Sequence, residues 1–157
     1  MPRRKILFVC VGNSCRSQMA EGFARAYGSD IVEVFSAGLA AAAVIAPETH
    51  AVMLEKNIDL GDQFPKHLGL IPPAMLDLVV NISGFPLPPG EWKEVITWDI
   101  PDPIGKNEKF HREVRDRIQA KVLELLALLR QRPPAGSPQP SPSPSGSSRV
   151  RFGRLRR

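Results

Sequence analysis

Cysteine is scarce in this 157-residue chain, which has two, and that scarcity excludes the multi-bridge framework that holds small secreted domains together. Histidine is hardly more common: His50, His67 and His111 stand at no ligand spacing with Cys10 and Cys15, so neither a metal nor a cofactor is expected. No run of eighteen apolar residues occurs, which leaves no helix to span a bilayer and predicts no membrane partner. The N-terminal "MPRRKILFVC" sets basic residues before an apolar run, yet that run of about six is too short for the core of a secretory leader. The expectation is a cytoplasmic protein whose two thiols stay reduced.

Acidic residues are missing from one region. Between Pro133 and Arg157 the chain has five arginines and no Asp or Glu, so the whole formal charge of +5 resides there, while the first 132 residues hold 16 basic and 16 acidic side chains. That segment, "PPAGSPQPSPSPSGSSRVRFGRLRR", has almost no apolar surface to offset the entropy of ordering. It predicts a disordered basic tail over 133–157 behind one folded domain over 1–132. The tail arginines are expected to be solvated rather than to hold nucleic acid.

What is present alternates. "KILFVC" (5–10) reads as a strand buried on both faces, and "IVEVFSAG" (31–38), "LDLVVNIS" (76–83) and "EVITWDI" (94–100) as three more. From Ser17, which can cap, with Glu21 in the first turn, Met19, Phe23 and Ala26 recur at helical spacing up to Gly28. Pro47 opens a second helix reaching about Asn57. Phe110, Val114, Ile118, Val122, Leu125 and Leu129 mark a long amphipathic C-terminal helix. The order β, α, β, α, β, β, α predicts an α/β fold: a single three-layer domain with a four-stranded, mostly parallel sheet flanked by helices. His50 and His111 fall on helices as exposed or partly packed residues, and Trp92 and Trp98 flank the fourth strand as core or loop anchors.

In such a sheet the loop between the first strand and its helix is the favoured anion site. Residues 10–17, "CVGNSCRS", occupy that place. Gly12 would let the backbone curl so that the N–H groups of Val11 to Cys15 converge as a nest, and Asn13 tolerates left-handed dihedrals. Ser14 and Ser17 offer hydroxyls, and Arg16 supplies a planar fork of donors suited to a tetrahedral oxyanion. The nest, the helix dipole and Arg16 would together favour a thiolate on Cys10, a nucleophile aimed at the bound anion. No G-x-x-x-x-G-K-[ST] is present, which excludes a nucleotide-binding loop of that kind.

"VCVGNSCRSQMAEGFA" resembles the signature of the low-molecular-weight protein tyrosine phosphatase superfamily, which includes the thioredoxin-coupled arsenate reductases. "SAG" at 36–38 and "PDPIGK" at 101–106 follow in the matching order. The resemblance implies that Cys10 attacks phosphorus, Arg16 clamps the oxyanion and Asp102 is the general acid. It implies too that Asn13, Ser17 and Ser36 hold the loop in shape, and that Cys10 and Cys15 can close into a reversible disulfide. The chemistry asks independently for such an acid, since an in-line displacement leaves an oxyanion that needs a proton. Asp102, stiffened between Pro101 and Pro103, is favoured over its neighbour Asp99.

Two activities fit this set. "GNSCRSQMAEG", the Ile104–Gly105 pair after Asp-Pro and the ring-free "LAAAAVIAPE" (39–48) look like an arsenate reductase. The relay cysteine of that branch would fall near Ser83, however, so reduction would need an external thiol such as glutathione or mycothiol. Hydrolysis lacks no part. The expectation is therefore a phosphatase acting on phosphate monoesters through a cysteinyl-phosphate, with thiol-coupled arsenate reduction as the alternative and a phosphate- or redox-sensing binding protein behind both. Phosphorylated substrates or the inorganic oxyanions phosphate and arsenate are the expected ligands.

Overall fold

A computed structural model describes residues 2–132. The predicted tail over 133–157 lies outside the described residues. The elements are β1 (Arg4–Cys10), α1 (Arg16–Gly28), β2 (Val32–Gly38), α2 (Pro47–Leu54), β3 (Leu78–Asn81), β4 (Val95–Thr97) and α3 (Glu108–Gln131), with two 3-10 turns at Leu68–Leu70 and Pro73–Met75. The strands form one sheet in the order β2-β1-β3-β4, and every pairing is parallel. β3 and β4 are shorter than their apolar runs, and the carbonyls of Ile82 and Ile100, just beyond them, turn to the site below.

Alternation along β1 divides the core. Ile6 and Phe8 point into a cluster with Met19 and Phe23 of α1, Val52 and Met53 of α2, and Val114, Ile118 and Val122 of α3. Leu7 and Val9 point the other way, onto Leu68, Ile71 and Leu76 in and just after the 3-10 turns. All three α-helices therefore cover one face, and the third layer is a thinner cover of turns. Trp98 packs on Phe8 with ring centroids 5.7 Å apart, the anchor its sequence position suggests.

The long helix forms for the reasons its sequence carries: the Asn107 side chain accepts from the Phe110 amide at 2.9 Å, and one stripe from Val114 to Leu129 is buried. Buried Arg115 donates to the Val52 carbonyl at 2.9 Å and pairs with Glu55 at 2.6 Å, tying α2 to α3. His111 differs from expectation. Its ring is wholly buried against its own helix start, with Nδ1 2.9 Å from the Asn107 carbonyl.

Register is what prepares the site. Cys10 lies beside Gly38, and Val9 beside Asn81, which pairs in turn with Thr97. The carboxyl ends of all four strands thus stop at one level, and the loops that leave them meet there. No helix of the described residues is long and apolar enough to cross a membrane.

Candidate active site

Cys10 ends β1 and Arg16 begins α1, so the intervening loop is clamped at both ends by regular structure. Along its outer side runs the segment after β2. Leu39, Ala40, Ala42 and Ala46 donate their amides to the carbonyls of Cys10, Val11, Gly12 and Ser14 at 2.8–3.2 Å, and the Ser14 hydroxyl donates to the Val44 carbonyl at 3.0 Å. A peptide's N–H points opposite to its C=O, so the amides of Val11, Gly12, Asn13 and Cys15 face away from this wall. That is the arrangement of an anion nest.

The left-handed residue in the loop is Asn13, at φ 51°, and not Gly12. A side chain at position 12 would meet nothing closer than Ala42 and Ser14 at 3.8 Å. The glycine the loop cannot replace is Gly38, where an added Cβ would lie 2.6 Å from the Val11 carbonyl oxygen and 2.9 Å from the Asn13 nitrogen. "SAG" ends in glycine because the nest rests against it.

Ser17 does not cap its helix. The N-cap position is Cys15, no side chain caps the first turn, and the Ser17 hydroxyl instead contacts the Cys10 sulfur at 2.8 Å. Asn13 Nδ2 donates to Ser17 Oγ at 2.7 Å and to Ser36 Oγ at 3.0 Å, while Asn13 Oδ1 accepts from the Lys66 amide at 2.9 Å. Glu21 is likewise not a first-turn acid. It is buried one turn further on, accepting from the Ser36 hydroxyl and pairing with Arg25. Its spacing of four from Arg25 was the available signal.

Arg16 is 4% exposed, and its position is over-determined. Nη1 donates to the carbonyls of Ile82 and Ile100 at 2.7 and 3.0 Å, and Nη2 lies 3.4 Å from Asp102 Oδ2. Nε is buried without a partner, an unusual state for a cation's donor. Asp102 accepts from the Ile104 amide at 3.1 Å and stays 41% exposed in its side chain, open to a ligand. Asp99 is exposed, and its carboxylate bonds no group of the site among the described residues. Ser83 is buried two residues beyond β3, its hydroxyl donating to Asn81 Oδ1 at 2.7 Å.

The two cysteines are free thiols and both are buried. Burial pushes the Cys15 thiol up from 9.0 to about 11, with the Thr49 hydroxyl opposing and the neighbouring Cys10 and Asp102 assisting. Folding therefore holds the neutral form. Its contribution to stability is complete below pH 9 and is lost as pH rises through about 11. Alkylation of the native protein at pH 7–9 is expected to leave Cys15 unlabelled by peptide mass spectrometry; ready labelling there would contradict this environment.

The sequence model of the family "Low molecular weight phosphotyrosine protein phosphatase" matches residues 5–85. The chain is 37% identical over 129 residues to a glutaredoxin arsenate reductase of Synechocystis, covering 79% of this chain and 97% of that one. A solved arsenate reductase in a phosphate-binding state aligns with TM-score 0.74 and 35% identity over 80% of this chain and 98% of its own. The YwlE arginine phosphatase of Geobacillus stearothermophilus aligns with TM-score 0.72 and 28% identity over 82% and 94%. These likenesses overturn the expectation that ranked phosphate-ester hydrolysis first, since curated relatives at 34–39% identity carry the name arsenate reductase.

Proposed function

Since the chain belongs to the low molecular weight phosphotyrosine protein phosphatase family and is an enzyme of that superfamily, we propose that it reduces arsenate to arsenite with an external thiol as electron donor. The observation that carries this reading is the likeness to arsenate reductases, which runs through the whole site-bearing part of the chain. The wall beside the nest agrees with it. Ala40 and Ala42 stand there, and Ile104 and Gly105 follow Asp102, so the rim suits a small inorganic oxyanion without an aryl group to grip.

In the proposed reaction the amides of Val11 to Cys15 and the free donors of Arg16 hold the arsenate oxygens. Cys10 sulfur bonds to arsenic, and one oxygen leaves as water with the proton that Asp102 supplies. A thiolate of the donor then attacks Cys10 sulfur. A sulfur–sulfur bond forms, the sulfur–arsenic bond breaks, and its electron pair stays on arsenic, which leaves as arsenite. A second thiol attacks the mixed disulfide, returns Cys10 and departs as the oxidised dimer. Asn13, Ser17 and Ser36 keep the loop in shape throughout. Ser83 has no sulfur to contribute, which is why the donor must come from outside; the reduced thiol pool of a cytoplasm would supply it.

Incubation with arsenate and glutathione, and separately with mycothiol, tests this. Arsenite is expected to accumulate with one or the other and to stop when the thiol is withheld. Release of p-nitrophenol from its phosphate ester with no arsenite formed under either thiol would overturn the reading.

A further inference from the structure

The hydrogen bonds that reach Cys10 have a direction, and it is set far from the sulfur. The Lys66 backbone N–H can only donate, so the Asn13 side-chain atom 2.9 Å away is the oxygen. The Asn13 NH2 group then faces Ser17 and Ser36 and spends one hydrogen on each. Each hydroxyl, having accepted, has its own proton to give. Ser36 gives its proton to Glu21 Oε1, and Ser17 is left to give its proton to the Cys10 sulfur.

We infer that Glu21 is a positioning residue for the nucleophile: its buried carboxylate, which can only accept, takes the Ser36 proton and so, together with the Lys66 N–H on Asn13, holds the chain Glu21–Ser36–Asn13–Ser17 in the sense that ends in a proton donated to Cys10 sulfur. Were Ser36 to turn its proton toward Asn13, the amide would have to flip against the Lys66 N–H, and Ser17 would donate to Asn13 and not to sulfur. Arg25 occupies the second carboxylate oxygen, and it also donates to the Val34 carbonyl at 3.2 Å and to Gln63 at 3.0 Å. Glu21, Arg25, Ser36 and Lys66 line a groove of about 730 Å³ on the outer side of β2 that does not include Cys10. The far end of the chain can therefore be altered without touching the nest.

Glu21→Gln in the full chain is the test. A glutamine can present its oxygen to Ser36 or to Arg25, not to both; the Arg25 cation takes it, and the glutamine NH2 then faces the Ser36 hydroxyl, whose proton loses its acceptor. The inference rests on Cys10 being the nucleophile, so the readout is Cys10 itself: its reaction with iodoacetamide at pH 7, followed by peptide mass spectrometry. That rate is expected to fall about tenfold, the worth of one hydrogen bond to a charged acceptor. Phosphate affinity, set by the nest and Arg16, is expected to stay within about twofold. Adding Arg25→Met removes the competing donor, and the double variant is expected to regain the rate to within about threefold of the parent. An unchanged rate in Glu21→Gln overturns the inference. So does a parallel fall of rate, phosphate affinity and Tm that the double variant fails to reverse, since that is what mere loop support would produce. A parent protein whose Cys10 does not alkylate at all would instead remove the proposed nucleophile, and this inference with it.

Discussion

Cys10→Ser is expected to lose arsenate reduction by more than roughly 10³-fold while still binding phosphate close to the parent affinity. The reason lies in what each half of the site contributes. Binding rests on the loop amides and on Arg16, and none of these depends on the sulfur. The proposed turnover needs a sulfur twice, first to bond arsenic and then to form the mixed disulfide with the donor thiol, and a hydroxyl can do neither. The Ser17 hydroxyl, 2.8 Å from the sulfur, would simply find an oxygen in its place. Arsenite production under glutathione or mycothiol measures the first quantity, and titration calorimetry with phosphate the second. Turnover in this variant above about a hundredth of the parent would end the covalent mechanism.

Arg16→Lys is expected to lose both functions at once, and that contrast makes the pair of variants informative. The guanidinium divides its labour: Nη1 is spent on the Ile82 and Ile100 carbonyls, while Nε is buried without a partner and Nη2 is 3.4 Å from Asp102. A lysine concentrates its donors on one nitrogen. Satisfying the two carbonyls leaves it too little, in the wrong plane, for a tetrahedral anion. The expected losses are roughly 10²–10³ in kcat and about tenfold or more in phosphate affinity. Parental phosphate binding in Arg16→Lys would show that the oxyanion does not reach the guanidinium.

The loop from Cys10 to Arg16 was legible because it is local: a strand, a curl and a helix start within a few residues of one another. The functional ranking was less so. The missing relay sulfur at Ser83 argued for hydrolysis, yet that absence bears on the route electrons take and not on the chemistry of the oxyanion at Cys10. Likeness along the rest of the chain reversed the order. Ser17 and Glu21 were misread for a related reason. Their types suit a cap and a helix dipole, but a hydroxyl or carboxylate bonds whatever partner is nearest, and Cys10 and Ser36, the partners that hold them here, lie on β1 and β2.

By itself the sequence determined the α/β alternation, the buried strand β1, the amphipathic stripe of α3 and the curl after Cys10. Each of these is a property of neighbours along the chain, where period and backbone sterics decide. The tertiary structure decided the rest. It placed all three α-helices on one face, shortened β3 and β4, and put the left-handed turn of the loop at Asn13. It brought the carbonyls of Ile82 and Ile100 to Arg16, 66 and 84 residues away, and set Asn13's amide by a backbone N–H 53 residues on. Contacts of that range follow from strand order and register, which the packing of the whole core selects, so no local pattern of residues announces them.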